Sequence, residues 1–165
     1  MNRGARHTAT FLDDEDRHTF CRLLRTGVEL SDVQVHGYAL MGNHYHLLVH
    51  TPSGGLGSFM QFVGQHYTQR FNRRHGFDGA LFRGRYRAKL IDSDQYLLAT
   101  SRYIHRNPAD LGPNVDPETY PWSSLGAYLG IVATPPWLST NAILGMVNGR
   151  PGYAEFMRQT DLEAA

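Results

Sequence analysis

Two β-like segments separated by a two-residue turn constrain this chain more than any other feature of its sequence. Residues 33–41 and 44–50 each have apolar or aromatic side chains at most positions. Gly42-Asn43 stands between them and is a turn dipeptide, and Thr51-Pro52 ends the second segment. Strands joined this tightly run antiparallel, because a parallel pair needs a long crossover. The sequence therefore predicts an antiparallel hairpin.

Helical patterns surround the hairpin. The predicted helices span about 13–27, Leu56 to Gly76, and about 94–107. In the first helix, acidic residues precede apolar residues at helical spacing. Gly76 ends the second helix and Pro108 ends the third.

The order of these elements predicts a fold class. Residues 80–91 alternate basic side chains with others, which indicates a loop entering a strand. The remainder is rich in Pro, Gly and Trp and predicts a C-terminal wrap with one or two short helices. The order helix, strand, strand, helix, strand, helix indicates an α+β fold, a ferredoxin-like antiparallel sheet with helices on one face.

Length and composition set broad limits. The 165 residues are enough for one domain with a sizeable core, and 41% hydrophobic with 19% charged residues is ordinary for a globular protein. No apolar run approaches a membrane span, and a single cysteine, Cys21, excludes an internal disulfide and a four-cysteine zinc site. We expect a cytoplasmic protein.

The charge distribution predicts a nucleic-acid partner. Between residues 70 and 89 only Asp78 is acidic, whereas aromatic residues are interleaved with many cations. Cations neutralise a phosphate backbone and exposed rings stack on unpaired bases, which favours single strands. The alternative is a solvated basic helix end beside a core strand. The candidate DNA-binding residues are Arg70, Arg73, Arg74, Arg83, Arg85, Arg87 and Lys89.

Two histidines suggest a metal site. His44 and His46 are two residues apart on a predicted strand, so their side chains share one face of the sheet. Two imidazoles displayed in this way can hold one divalent metal ion. The alternative is a pair of ordinary strand histidines.

A tyrosine and an asparagine on the third predicted helix extend this site. Tyr103 and Asn107 are four residues apart and are neighbours on one helical face. A phenol is a poor nucleophile at neutral pH unless a nearby cation or base favours its ionised form. The pair could supply a nucleophile and a third metal ligand. Alternatively, Tyr103 is a half-buried aromatic and Asn107 caps the helix before Pro108.

Several segments together resemble one family. Residues 42–49 are similar to the Asn-His-hydrophobic-His-Leu-Leu motif of the HUH single-tyrosine (IS200-like) transposases. Residues 70–86 resemble the region between their metal strand and catalytic helix, and residues 94–108 resemble their nucleophile helix. Residues 120–124 and 136–138 are similar to the tail of the REP-associated tyrosine transposase subgroup. The resemblance covers roughly residues 11–160.

The resemblance implies a metal-dependent endonuclease and strand transferase for single-stranded DNA, often at hairpins formed by palindromic repeats. His44 and His46 would bind Mg²⁺ or Mn²⁺ with Asn107 as the third ligand. Tyr103 would attack the scissile phosphate and form a 5′-phosphotyrosine link. Tyr96 is the competing nucleophile. A silent DNA-binding relic that represses its own element and a phosphodiesterase that uses water are the alternative functions.

One departure from the family concerns the first strand. Members usually begin with a strand followed by an Arg-Gly-Asn-Arg-like turn, and Met1 to His7 looks like that turn with the strand missing. We expect an exposed edge next to the histidine strand, which would favour a homodimer. Residues 1–112 are predicted to form the catalytic domain and residues 113–165 a C-terminal extension packed on it.

Overall fold

The computed structural model describes residues 1–159, with the exception of the Arg6 side chain. The last six residues of the predicted C-terminal extension lie outside this part of the chain. The sheet strands are β1 (Asn2–Arg3), β2 (Gln34–Leu40) and β3 (His44–His50), and the helices are α1 (Asp14–Glu29), α2 (Leu56–His75), α3 (Asp94–Arg106), α4 (Leu125–Leu129), α5 (Asn141–Met146) and α6 (Gly149–Arg158). Short 3₁₀ helices span Ala5–His7 and Asn107–Leu111.

The predicted hairpin forms the centre of the sheet. β2 and β3 pair antiparallel, with Leu40 opposite Tyr45 and Ala39 opposite His46. A bulge at His36 shifts the register between Val35 and Gly37. The strand order is β1-β3-β2, so the histidine-bearing strand lies between the other two. The predicted antiparallel hairpin and the α+β class are confirmed.

The first face of the sheet is covered by α1 and α2. Alternate residues of the hairpin, such as Tyr38, Leu40 and Tyr45, pack there in one buried cluster with apolar residues of both helices. The helices begin and end close to the predicted positions, and Gly76 takes the left-handed conformation that ends α2. The helical residues of this cluster are Phe20, Leu23, Leu24, Phe59, Met60, Val63, Tyr67 and Phe71.

The second face is covered by α3 and the C-terminal helices, so the expectation of helices on one face holds only for α1 and α2. The intervening residues Ala39, Met41 and Leu48 pack with Ile104 of α3 and with α4, α5 and α6. Every residue of β2 after Gln34 is buried, on both faces of the strand, and this burial requires a layer on each side. Between residue 113 and the end of the described chain, three short helices form where one or two were expected.

The predicted strand within residues 80–91 does not form. Only Phe82 makes a bridge, to Gly4, although Arg83 N–H donates to the Arg3 carbonyl at 2.9 Å. Arg87 N–H likewise donates to the Met1 carbonyl at 2.9 Å. The segment runs beside β1, whose two residues are too few to carry a regular ladder.

A short first strand covers part of the edge that was expected to be exposed. Asn2 pairs with Tyr45 and Arg3 with His44. Within residues 1–159, no strand pairs with residues 47–50 on this side of β3. The edge of β3 is therefore paired at His44 and Tyr45.

The C-terminal segment completes the other edge of the sheet. Leu40 N–H donates to the Trp122 carbonyl at 2.8 Å and Ser139 N–H donates to the Val35 carbonyl at 2.9 Å. Tyr128 Oη donates to the His36 carbonyl at 2.6 Å. These contacts pack residues 122–139 on β2, while a domain division after residue 112 stays a prediction. No helix in the described part of the chain is long and apolar enough to span a membrane.

Candidate active site

The two predicted histidines meet on the face of β3 that α3 covers. Alternation along the strand sends Tyr45 into the α1/α2 core, so His44 and His46 point to the opposite side. Their ring centroids are 5.1 Å apart. His46 is 7% exposed and His44 is half-buried. The imidazole pair therefore lies at the boundary between the core and solvent.

Helix α3 brings the predicted tyrosine to this pair. Ser93 caps the helix, because its hydroxyl accepts from the Tyr96 N–H. Ile104 is buried in the core on one side of α3, which leaves Tyr103 60% exposed beside the histidines. The rings of Tyr103 and His46 lie 5.6 Å apart between centroids, edge to face at 86°.

Asn107 is the fourth member of the cluster and is 6% exposed. Its Nδ2 donates to the Tyr103 carbonyl at 3.0 Å, one helical turn back. Burial lowers the pKa of both histidines, and side-chain hydrogen bonding with Asn107 opposes this lowering in each of them. The Asn107 amide therefore lies next to both imidazole rings.

Burial keeps both histidines neutral. Desolvation, followed by the charge of the neighbouring His44, lowers the pKa of His46 to about 4. Burial is also the main cause of the lowered pKa of His44, followed by the positive charge of Arg3. Neutral imidazoles retain a nitrogen lone pair at pH 7, which is the form that binds metal.

The tautomer of His44 is fixed by a neighbour. Its Nδ1 lies 2.8 Å from the Asn43 side-chain oxygen. Because an amide oxygen only accepts, Nδ1 donates and Nε2 keeps the lone pair. A second partner of this kind orients histidine ligands in metal sites generally.

The donor set fits a divalent cation. Two neutral imidazole nitrogens and the amide oxygen of Asn107 make three ligands, and such a set leaves positions open for phosphate oxygens. Within residues 1–159 no group of three or more His, Cys, Asp or Glu side chains could hold a metal ion. Asn107 is the neighbouring residue whose amide oxygen could add a third ligand.

The seven predicted DNA-binding cations differ in their surroundings. Arg70 and Arg73 are exposed near the end of α2. Arg74 is bound instead by Asp13 at 2.6 Å and by the buried Asp16 at 2.7 Å. The segment after α2 carries three exposed arginines beside β1, which are Arg83, Arg85 and Arg87. Lys89 lies over the Tyr96 ring, with its amine 4.8 Å from the ring centroid.

Two charged residues near the site were missed in the sequence. Arg3 acts electrostatically on both histidines, and Asp110 acts on His44 with the opposite sign. Asp110 also lines a cleft of about 290 Å³ together with Tyr103, Asn107 and Arg106. Its spacing of three residues from Asn107 could have indicated it, whereas no local pattern indicates Arg3.

A buried polar network behind the site was also missed. His105 is fully buried, and its Nδ1 lies 2.6 Å from Tyr153 Oη on α6. Its Nε2 lies 2.6 Å from Ser124 Oγ. Since Tyr153 Oη donates to Ser101 at 3.0 Å, Nδ1–H donates to Tyr153 and the Ser124 hydroxyl donates to Nε2. The network joins the tyrosine helix to the C-terminal segment.

A three-stranded antiparallel sheet that presents two histidines to a helix carrying an exposed tyrosine defines an α+β fold of the HUH-endonuclease type. The family model described as "Transposase IS200 like" matches residues 5–107. The chain belongs to the IS200-like transposase family, because this match covers more than half of its 165 residues. Searches of curated proteins and of solved structures gave no match. The family makes the protein a transposase, and DNA is the partner that this implies.

Proposed function

We propose that the protein is a metal-dependent endonuclease and strand transferase for single-stranded DNA, with Tyr103 as the nucleophile. The juxtaposition of the exposed Tyr103 ring and the buried His46 ring, 5.6 Å apart, carries the proposal. Tyr96 supports it less well as a nucleophile, since it lies seven residues before Tyr103, about 10 Å along α3 from the tyrosine that contacts His46. His44, His46 and Asn107 would hold Mg²⁺ or Mn²⁺, which withdraws charge from the scissile phosphate when bound.

The proposed reaction keeps the energy of the broken phosphodiester bond in a phosphotyrosine bond. Tyr103 Oη forms a bond to phosphorus, the bond from phosphorus to the 3′-oxygen breaks, and that oxygen takes up a proton as a free 3′-hydroxyl. The phenol proton leaves to solvent, to which Tyr103 is 60% exposed. A 3′-hydroxyl that attacks the phosphotyrosine reverses the step, so rejoining needs no nucleotide cofactor.

The finer placement in the REP-associated subgroup is also a proposal. The two segments that resemble this subgroup, 120–124 and 136–138, lie against β2. Tyr120 Oη donates to the Leu40 carbonyl at 2.7 Å. Trp137 packs on Tyr38, with the ring centroids 5.5 Å apart. They are therefore built into the sheet that carries the site. This placement predicts hairpins of palindromic repeats as the substrate. A homodimer is a separate prediction, which light scattering of the purified protein tests.

The deciding experiment is an adduct assay. Purified protein is incubated with labelled single-stranded hairpin DNA and Mg²⁺ or Mn²⁺ and then resolved on a denaturing gel, with Tyr103→Phe and Tyr96→Phe alongside. We expect a slow, protease-sensitive band that is lost with chelator and with Tyr103→Phe but persists in Tyr96→Phe.

Other outcomes identify the alternatives. Cleavage without an adduct would indicate a phosphodiesterase that uses water, and binding without cleavage would indicate a silent DNA-binding protein. An adduct that disappears in Tyr96→Phe and persists in Tyr103→Phe would assign the nucleophile to Tyr96.

A further inference from the structure

Arg3 lies on the same face of the sheet as the candidate metal ligands. It stands directly opposite His44 in the antiparallel pairing of β1 with β3. Side chains of directly opposite residues project to the same face of a sheet. The positive charge of Arg3 accordingly acts on both His44 and His46. A cation is thus held beside the imidazole pair, on the side of the sheet that Tyr103 occupies.

The backbone of Arg3 is fixed, while one side-chain nitrogen, Nε, has no partner among the described residues. The Arg3 N–H donates to the Asn2 side-chain oxygen at 2.9 Å, and the Arg3 carbonyl accepts from Arg83 N–H at 2.9 Å. In contrast, the Arg3 Nε is buried and has no hydrogen-bond partner within residues 1–159. A buried donor of this kind is costly to leave unsatisfied. The guanidinium is therefore positioned for a ligand that accepts hydrogen bonds.

The surroundings of Arg3 favour an anion. A cleft of about 330 Å³ lies between β1 and the segment that follows α2, and its lining contains no acidic residue. Four of its seven lining residues are arginines. A forked guanidinium binds two phosphate oxygens at once, which an ammonium group cannot do. The lining residues are Met1, Asn2, Arg3, Arg83, Gly84, Arg85 and Arg87.

We propose that Arg3 binds the scissile phosphate, with its forked N–H groups on the non-bridging oxygens, and that the cleft beside it takes the adjoining phosphates of the same strand. The proposal rests on the proposed function. It adds a substrate-binding residue that lies outside the family match, which begins at residue 5. Charge that builds on the phosphate oxygens as Tyr103 attacks would strengthen the contact, because fixed donors act most on developing charge.

The test compares Arg3→Ala and Arg3→Lys with Arg25→Ala as the matched control. Arg25 is an exposed arginine of α1 that pairs with Glu29 at 2.8 Å, on the other side of the sheet. We expect Arg3→Ala to lower the single-turnover rate of adduct formation roughly 100-fold or more, as for loss of one transition-state donor. Arg3→Lys restores a part of the rate, and Arg25→Ala leaves it unchanged.

A binding measurement without chemistry makes the test independent of turnover. The affinity for the same hairpin DNA is measured in chelator over a range of salt concentrations. Loss of one phosphate contact lowers the slope of log affinity against log salt by about 0.7 for a single strand. We expect this decrease in Arg3→Ala, while Arg3→Lys and Arg25→Ala keep the wild-type slope.

The outcomes separate this inference from the proposed function. Thermal unfolding and circular dichroism check that Arg3→Ala is folded, and the backbone pairing of β1 predicts that it is. A wild-type rate and salt slope in Arg3→Ala would overturn the role of Arg3 while the adduct upholds the proposed function. If the wild type forms no adduct, the proposed function fails, and an unchanged salt slope in Arg3→Ala would then overturn the phosphate contact as well.

Discussion

The Tyr103 phenol stands edge-on against the imidazole of His46, with 5.6 Å between ring centroids and 86° between ring planes. The same tyrosine offers its backbone carbonyl to the Asn107 amide at 3.0 Å. The candidate nucleophile and a candidate metal ligand are thus joined within one turn of α3. A shift of this helix against β3 would change both positions at once, so the packing of α3 bears directly on the proposed chemistry.

Removal of the Asn107 side chain should weaken metal binding with little effect on the fold of the sheet. Asn107→Ala deletes the proposed oxygen ligand, and we expect the affinity for Mn²⁺ to fall more than tenfold in calorimetric titration. Asn43→Ala removes the partner that fixes the His44 tautomer, for which a loss of roughly 10- to 100-fold is typical. Asn141→Ala on α5 serves as the control. Equal affinity in Asn107→Ala and the control would exclude Asn107 as a ligand.

Arg74 should differ from its neighbours on α2. It is held by Asp13 and the buried Asp16, so Arg74→Ala leaves the Asp16 carboxylate with fewer partners and should lower the melting temperature. Arg70→Ala and Arg73→Ala remove exposed charges and should weaken binding of single-stranded DNA without loss of stability. Melting curves and salt-dependent binding measured on all three variants check this. Arg74→Ala with weaker DNA binding at unchanged stability would contradict the structural role.

The local elements of the fold were predictable from the sequence because short-range signals specify them. Gly42-Asn43 marks the hairpin turn, Gly76 ends α2, and Ser93 caps α3. The proximity of His44 and His46 follows from strand alternation alone, and the proximity of Tyr103 and Asn107 from helix periodicity. The structure brings these four residues together, while their roles in metal binding and catalysis remain proposals.

Features that depend on long-range packing were not predictable in this way. The position of Arg3 beside His44 depends on the register of β1, and Arg74 meets Asp16 only because α1 packs on α2. The expected strand within residues 80–91 fails for a similar reason, since its partner β1 has only two residues. One signal was available for the two-sided sheet: residues 38–41 form a continuous hydrophobic run at the end of β2, which indicates burial on both faces.

Loss of the Tyr153 hydroxyl should destabilise the protein and loosen α3. Tyr153 Oη contacts both His105 Nδ1 and Ser101 Oγ in a fully buried setting. Tyr153→Phe keeps the ring but leaves the His105 donor unsatisfied, which costs about 1–3 kcal/mol. Chemical denaturation measures this difference. Tyr120→Phe is the control, since it also removes a tyrosine hydrogen bond, but one that is only half-buried. An equal loss in both variants would argue against a special role for the buried network.

The buried His105 should make the fold sensitive to acid. Burial lowers the pKa of His105 to about 3, whereas a histidine in the unfolded chain titrates near 6.5. Between these two pH values the histidine is protonated in the unfolded state but not in the native state. The free energy of unfolding therefore decreases as pH falls from about 6.5 toward 3. At pH 4.5, two pH units below the unfolded value, the loss from this residue is on the order of 3 kcal/mol.

His105→Gln isolates this contribution. Glutamine keeps hydrogen-bonding capacity toward Tyr153 and Ser124 but does not titrate, so we expect lower stability at pH 7 and a shallower decrease between pH 6.5 and 4.5. His36 and His46, whose pKa values are also lowered by burial, retain part of the acid sensitivity in the variant. Urea denaturation at several pH values measures the slopes. If the free energy of unfolding depends on pH in the same way in wild type and His105→Gln, the lowered pKa of His105 does not cause the acid sensitivity.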